Sequence, residues 1–269
     1  MMEKQVSHLS TPTDDKYQGL HRGWKISHDL GSPIHALRKS LLLRLVPPGR
    51  EGYRCLDIGC GTGEYIGPLI DMGYRVDGVD ISPYAIAQAE KDLTAEKRPF
   101  FRGIVASLET FTPDQKFDLI LCSEVLEHLE EPLALLQRMM RWIKEGGGFL
   151  ITVPADPSLW SEEDVIAHHI RRYTEAQLKV LLADASLRPE LFWCYGYPSL
   201  RLLLRMKKRF LGKRGITQIQ VMGEKSPSQW IIRWLNRLVR GAAYLTDRHL
   251  LYHPKGIGFI TLCRPQKLS

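Results

Sequence analysis

The chain has 269 residues, of which 25% are charged and 44% hydrophobic, with a formal net charge of +7. That apolar content is enough for a large folded core and excludes a wholly disordered chain. No run of about 18 apolar residues occurs and the first residues lack a basic-then-apolar leader, so neither a membrane span nor export is expected, and the expected address is the cytoplasm.

The first 15 residues are polar and read as a disordered tail. Residues 16–50 carry Tyr17, Trp24, Leu41, Leu42, Leu43 and Val46 at partly helical spacing and stop at Pro47 and Pro48, which predicts a helical N-terminal cover. From 51 to 198, β-rich runs alternate with helix-period stretches. YRCLDIG is followed by a helix to about Met72, YRVDGVDI by a helix from Pro83 to about Lys97, FDLILCS by a helix to Lys144, and GFLITVP closes the series. This rhythm predicts an α/β domain, a mostly parallel sheet with helices on both faces. A Thr174-capped helix, TEAQLKVLLADA, places Leu178, Val180, Leu181 and Leu182 on one side, and the strand LFWCYGY follows it. Residues 199–254 read as an inserted basic helical cap, and 255–269 as the final core strand, GFITLC, with a short tail. The five cysteines, Cys55, Cys60, Cys122, Cys194 and Cys263, form no CxxC pair and read as buried reduced thiols without a zinc knuckle.

The segment Leu56-Asp57-Ile58-Gly59-Cys60-Gly61-Thr62-Gly63 ends a strand and opens a helix, with three glycines where the backbone turns sharply and approaches a ligand. Seventeen residues after Gly63, at the end of the next strand, stands Asp80, placed to accept hydrogen bonds from ribose hydroxyls. GxxxxGK[ST] is absent, and GxGxG differs from the GxGxxG that backs a pyrophosphate, so a nucleoside cofactor without phosphates fits better than a dinucleotide.

LDIGCGTG, the acid of VDGVDIS, FDLILCSEVLEHLEEP and KEGGGFLITVP resemble the successive motifs of class I S-adenosylmethionine-dependent methyltransferases over roughly residues 53–195. The resemblance implies a Rossmann-like, seven-stranded, mostly parallel sheet, and S-adenosyl-L-methionine as cofactor. It assigns Gly59, Gly61 and Gly63, with Cys60 among them, to the methionine portion. Asp57 anchors the turn, Asp80 holds the ribose and Ile81 packs on the adenine. Where the family often has an acid near the adenine amino group, this chain has Ser107 and Leu108. Cys122 offers its backbone carbonyl to the ammonium group, while its thiol reads as packing.

SEVLEHLEEP places Glu124, Glu127 and His128 at i, i+3 and i+4, which predicts two carboxylates and an imidazole on one helical face. His168 and His169 follow in DVIAHHIRRY. The ExxEH pattern with a distant histidine resembles ubiquinone-pathway O-methyltransferases and small-RNA 2′-O-methyltransferases, in which a divalent metal orients the hydroxyl. Three readings stand at this point. The cluster holds a divalent metal; or His128 or His169 is a general base for a hydroxyl acceptor; or the glutamates bond backbone and Arg171 or Arg172 while His128 packs. No metal ligand is assigned.

Residues 200–269 hold 15 Lys and Arg against 2 Asp and Glu, whereas residues 1–199 hold 22 against 28. Within the basic region, Trp230, Ile231, Trp234, Leu235 and Leu238 alternate with Arg233, Arg237 and Arg240 as an amphipathic helix. In SLRLLLRMKKRFLGKR, Leu200, Leu203, Leu204 and Phe210 interleave with cations at 201, 205, 207, 208, 209 and 213. Such helices cap an acceptor pocket or meet an anionic membrane surface through 199–245. The expected function is S-adenosylmethionine-dependent methyl transfer to a small-molecule or lipid-linked acceptor, with oxygen the preferred atom. The alternatives are an RNA methyltransferase, a nicotinamide-dependent dehydrogenase and a non-catalytic cofactor-binding accessory protein; no RNA-binding motif is present, which disfavours nucleic acid.

Overall fold

Strands form at the β-branched and leucine-rich runs, and most helices begin where a proline or a capping side chain sets the first turn. The computed structural model describes residues 32–210 and 250–266, with isolated positions 237, 239, 241 and 245. Trp24, Tyr17 and, apart from the isolated position 237, the 230–238 stretch lie outside the described residues.

In chain order the elements are α1 (Pro33–Leu45), β1 (Arg54–Ile58), α2 (Ile66–Asp71), β2 (Arg75–Asp80), α3 (Pro83–Lys91), β3 (Phe101–Val105), β4 (Phe117–Ser123), α4 (Pro132–Trp142), β5 (Ile143–Pro154), α5 (Glu162–Ile166), α6 (Glu175–Asp184), β6 (Leu187–Tyr195), α7 (Ser199–Phe210) and β7 (Gly258–Pro265). The sheet has seven strands in the order β3-β2-β1-β4-β5-β7-β6. All pairings are parallel except those of β7, which runs antiparallel to both β5 and β6. The ends of β1, β2, β4, β5 and β6 therefore open on one edge, where an α/β sheet binds its ligands.

One core lies on each face of the sheet. Leu41 and Leu42 of α1 join Leu69, Leu121, Leu150 and Ile260 on one side. Leu56, Ile58, Phe117, Leu136, Phe149 and Leu178 make the other. Helix α3 starts at Pro83 with Ser82 capping Ala85 N, and α6 starts with Thr174 and Gln177 in a reciprocal capping box.

Four sequence expectations need correction. The helix from Pro83 ends at Lys91, not near Lys97, and a 3-10 turn at Arg98–Phe100 leads into β3. The helix expected directly after β4 begins only at Pro132, and β5 starts at Ile143. Within α6, Leu178 and Leu182 are buried but Val180 is 59% exposed, because 180 lies about 200° from 178 on a 3.6-residue helix. Among the cations expected to face water, Arg201 is buried. The five cysteines are free and buried, as read.

Candidate active site

The glycine loop is tied down by its own neighbours. The N–H groups of Gly59 and Cys60 both donate to Val79 O, at 2.8 and 3.1 Å, and Gly61 N–H donates to Asp80 Oδ2 at 2.9 Å. Asp80 Oδ1 accepts from Ser82 N–H at 2.9 Å, so the acid is oriented by β2 and the loop together. Gly59 has φ +64°, and a Cβ there would lie 2.6 Å from Val125 Cγ2; at Gly63, φ is +85° and a Cβ would meet Ala89 Cβ at 2.8 Å. These positions demand glycine both for backbone conformation and for close packing.

Since the first three loop amides are already engaged, they form no nest for a pyrophosphate. A phosphate-free nucleoside fits the loop. Asp57 at the end of β1 adds a buried carboxylate whose Oδ2 has no hydrogen-bond partner. Burial, reinforced by Asp80 and Glu64, pushes its proton affinity well above the ordinary aspartate value. An orphaned acceptor beneath the loop suits the cationic end of a sulfonium amino acid. Cys60 points its thiol at the Gly78 position of β2, and the Cys122 thiol is fully buried, so both sulfurs pack. Ser107 and Leu108 form a turn in which Ser107 O accepts from Thr110 and Phe111 N–H. Arg138 of α4 fastens this turn by donating to the carbonyls of Leu108, Glu109 and Phe111. Ile81, just after β2, is half-buried.

Beyond β4, the expected single helical face is absent. Glu124 has φ +56°, and Leu126–His128 form a 3-10 turn, so Glu124 turns away while Glu127 and His128 stay together. Glu124 Oε2 pairs with Arg38 of α1 at 2.8 Å, while Oε1 accepts from Thr152 Oγ1 at 2.9 Å. Tyr65 and Tyr195, whose hydroxyls also bond Arg38, complete this buried polar group, and burial raises both phenols above their ordinary range. Tyr195 reaches the group by passing over Gly258, where a Cβ would lie 2.5 Å from its ring. Arg38, Tyr65 and Tyr195 were not singled out in the sequence. The signal for Arg38 was available: with Leu41, Leu42 and Leu45 it falls at i, i+3, i+4 and i+7, an arginine inside a buried stripe that must find a partner.

Glu127 takes the other direction and meets the two histidines. Its side chain is 0% exposed and neither carboxylate oxygen has a hydrogen-bond partner. Burial, with Glu124 nearby, raises its carboxyl well above the usual value. His169 Nε2 lies 3.8 Å from Glu127 Oε1, and the His128 and His169 rings meet edge to face at 4.9 Å. Both rings are held from behind: His169 Nδ1 by Asp164 Oδ1 at 2.9 Å, and His128 Nδ1 by His168 O at 3.3 Å. Neutral rings donating through Nδ1–H carry their lone pairs on Nε2. Burial and the second imidazole push His128 down to about 4. Glu127, His128 and His169 can together present one ligand atom each to a cation, and Glu124, claimed by Arg38, is outside the set.

Asp164 is the organiser that sequence reading missed, although SEED carried its capping-box signature. It accepts from Ser161 N–H at 2.8 Å as well as from His169 and, at 2.8 Å, from Arg172 Nε. Burial opposes its charge, yet those donors bring it below the ordinary aspartate range. Arg172 thus serves Asp164 and not a glutamate, and Arg171 donates to Glu130 O. Tyr173 OH to Leu126 O, at 3.0 Å, and Ile170 N–H to Glu127 O, at 2.9 Å, bind the histidine segment to the 3-10 turn.

Comparison with known proteins agrees with this geometry. A family profile described as a methyltransferase domain matches residues 33–190. A ubiquinone biosynthesis O-methyltransferase of Xanthomonas campestris pv. campestris strain B100 is 31% identical over 166 residues, which span 59% of this chain and 67% of that protein. Among solved structures, a methyltransferase in its complex with the Haloferax volcanii Trm112 methyltransferase activator superposes with a TM-score of 0.62 at 16% identity, covering 95% of this chain and 98% of that one. Phosphoethanolamine N-methyltransferase 2 of Haemonchus contortus, in complex with S-adenosyl-L-methionine, gives 0.61 at 17% identity, over 99% and 63% of the two chains. Likeness at these identities is one of fold.

Proposed function

Since the chain belongs to the methyltransferase domain family, an enzyme family whose methyl donor is S-adenosylmethionine, we propose that it methylates a hydroxyl oxygen on a small-molecule or lipid-linked acceptor. The observation that carries the oxygen assignment is the His169–Asp164 pair facing the Glu127 carboxylate, whose oxygens have no hydrogen-bond partner. The similarity to a ubiquinone biosynthesis O-methyltransferase supports it.

The donor supplies a methyl already activated on a sulfonium, so this chain's work is binding, alignment and handling of one proton. Glycines 59, 61 and 63 admit the methionine portion, and Asp80, oriented by the loop and by β2, takes the ribose. Arg38, whose buried Nε has no hydrogen-bond partner, would meet the carboxylate of the methionine portion. His169, oriented by Asp164, accepts the acceptor's hydroxyl proton on Nε2. With S-adenosylmethionine bound, the donor would supply its methyl carbon to that oxygen, the electrons of the carbon–sulfur bond returning to sulfur. Alignment in a water-poor site is worth about 7–11 kcal/mol at most, and general-base assistance roughly 10²–10⁴-fold.

As the alternative to that general base, Glu127, His128 and His169 fit a divalent cation, one carboxylate and two imidazoles held from behind being a common donor set that would take the same Nε2 lone pair of His169. Bound there, a divalent cation would supply Lewis-acid polarisation of the acceptor oxygen. Val165, Ile166 and Ile170 are exposed beside His169. This apolar lip, with the basic residues 199–245, supports a lipid-linked acceptor and peripheral contact with an anionic membrane surface. No helix among the described residues is long and apolar enough to cross a membrane.

The test is incubation of the protein with methyl-labelled S-adenosylmethionine and fractionated metabolite, lipid and RNA extracts, followed by mass spectrometry of labelled products. An O-methyl ether in the metabolite or lipid fraction, lost in His169→Ala, is the expected result. Label confined to nitrogen, or to RNA, would overturn the oxygen or the acceptor assignment respectively.

A further inference from the structure

Arg201 is a cation the sequence gives no reason to bury, yet its side chain is 7% exposed at the root of the insertion. Its Nη2 pairs with Asp156 Oδ2 at 2.6 Å, and its Nη1 donates to Lys255 O at 3.0 Å and Gly256 O at 3.3 Å. One guanidinium therefore holds both ends of the 199–254 segment, α7 leaving and the 255–256 turn returning, against the first residues beyond β5.

Those residues lead to the histidines. Asp156 has φ +59° and donates its N–H to Tyr173 O at 2.9 Å. The carbonyl of the preceding Ala155 accepts from Arg172 Nη1 at 3.2 Å. Arg172 Nε in turn bonds Asp164 Oδ1, the same oxygen that holds His169 Nδ1. An unbroken series of hydrogen bonds and one covalent link thus runs from Arg201 through Asp156, Ala155, Arg172 and Asp164 to His169. Every step is short, and the charged members are mostly buried, where such networks are stiff.

The geometry points to Arg201 as a positioning residue for methyl transfer: the Arg201–Asp156 pair fixes the His169 ring relative to the root of the insertion. The series has no other function in the mechanism given above. The inference rests on the reading of His169 as an acceptor-side group, and the two can fail separately.

The experiment uses the full chain, labelled with ¹⁵N-histidine and saturated with S-adenosylhomocysteine. His128→Gln and His169→Gln assign the ring resonances. Arg201→Gln and Asp156→Asn are each expected to displace the His169 ring nitrogens in the same direction, the double variant no further than either single one, and Arg201→Lys by less. Arg188→Gln, which removes a surface partner of Glu190, leaves them in place. On the labelled acceptor, Arg201→Gln lowers kcat about ten- to a hundred-fold with cofactor affinity unchanged, the cost of a misplaced catalytic group. His169 rings that stay put in folded Arg201→Gln and Asp156→Asn proteins overturn the inference, and if one variant does not fold the other and Arg201→Lys decide it. Turnover that survives His169→Gln sinks the acceptor-side reading instead, whatever the rings do.

Discussion

The two halves of the site are built by different means. On the β1–β2 side, short-range features do the shaping: three glycines, backbone amides spent on Val79 O, and an acid seventeen residues away at the end of the adjacent strand. On the β4–β5 side, the shape comes from side chains distant in sequence, Arg38 with Glu124, His169 with Glu127 and Tyr173 with Leu126. Three of the four described non-glycine residues with positive φ, Glu124, Asp156 and His168, stand in this second half. Backbone strain and long-range pairing gather in the half proposed to handle the acceptor, as expected of a part of the fold that varies with substrate while the cofactor stays the same.

Substitutions can break this contrast or sharpen it. Gly59→Val should be the most damaging, because it combines φ +64° with a Cβ 2.6 Å from Val125. Calorimetry with S-adenosylhomocysteine should show affinity reduced a hundred-fold or more, about 3 kcal/mol. In the other half, His169→Ala should lower turnover by roughly 10²–10⁴-fold while calorimetric cofactor affinity holds, so that binding and chemistry separate along the same line as the architecture. Arg38→Met crosses the boundary. It leaves Glu124 partly buried without its partner, and chemical denaturation should report a loss of about 3 kcal/mol.

The smallest effect concerns pH. Burial raises the Asp57 carboxyl in the folded chain, so the folded state holds that proton more tightly than the unfolded state does. Its favourable contribution is complete below the ordinary aspartate value and fades as pH rises from there toward the folded value. In cofactor-free protein, stability should fall by at most about 1.4 kcal/mol per pH unit over that window, and Asp57→Asn should remove the slope. A slope of opposite sign in urea titrations would mean that a cation or donor is already seated against Asp57.

The same division explains what could be read in advance. Alternating strands and helices, the glycine loop and Asp80 are local patterns, and the sheet places them as read. The face shared by Glu124, Glu127 and His128 was misread because helical spacing was extended upstream of Pro132, although a proline at the first helical position marks the start. Val180 was misplaced by counting apolar residues without following the 100° step. Arg201 could not be paired with Asp156, Lys255 and Gly256 from spacing alone, since those partners are set by where β5, β6 and β7 come together, whereas Asp164 finds Ser161, His169 and Arg172 within eight residues.

The antiparallel seventh strand has a consequence for how the chain is made. Among the described residues, β6 has no neighbour in the sheet other than β7, and β5 meets its second neighbour only there. During synthesis the first five strands can assemble, while β6 and one side of β5 wait with open edges until β7 has been made. Clipping or truncation ahead of Gly258 would therefore strand two adhesive edges at once, and the shortened product should clump or be degraded instead of persisting as a weaker enzyme.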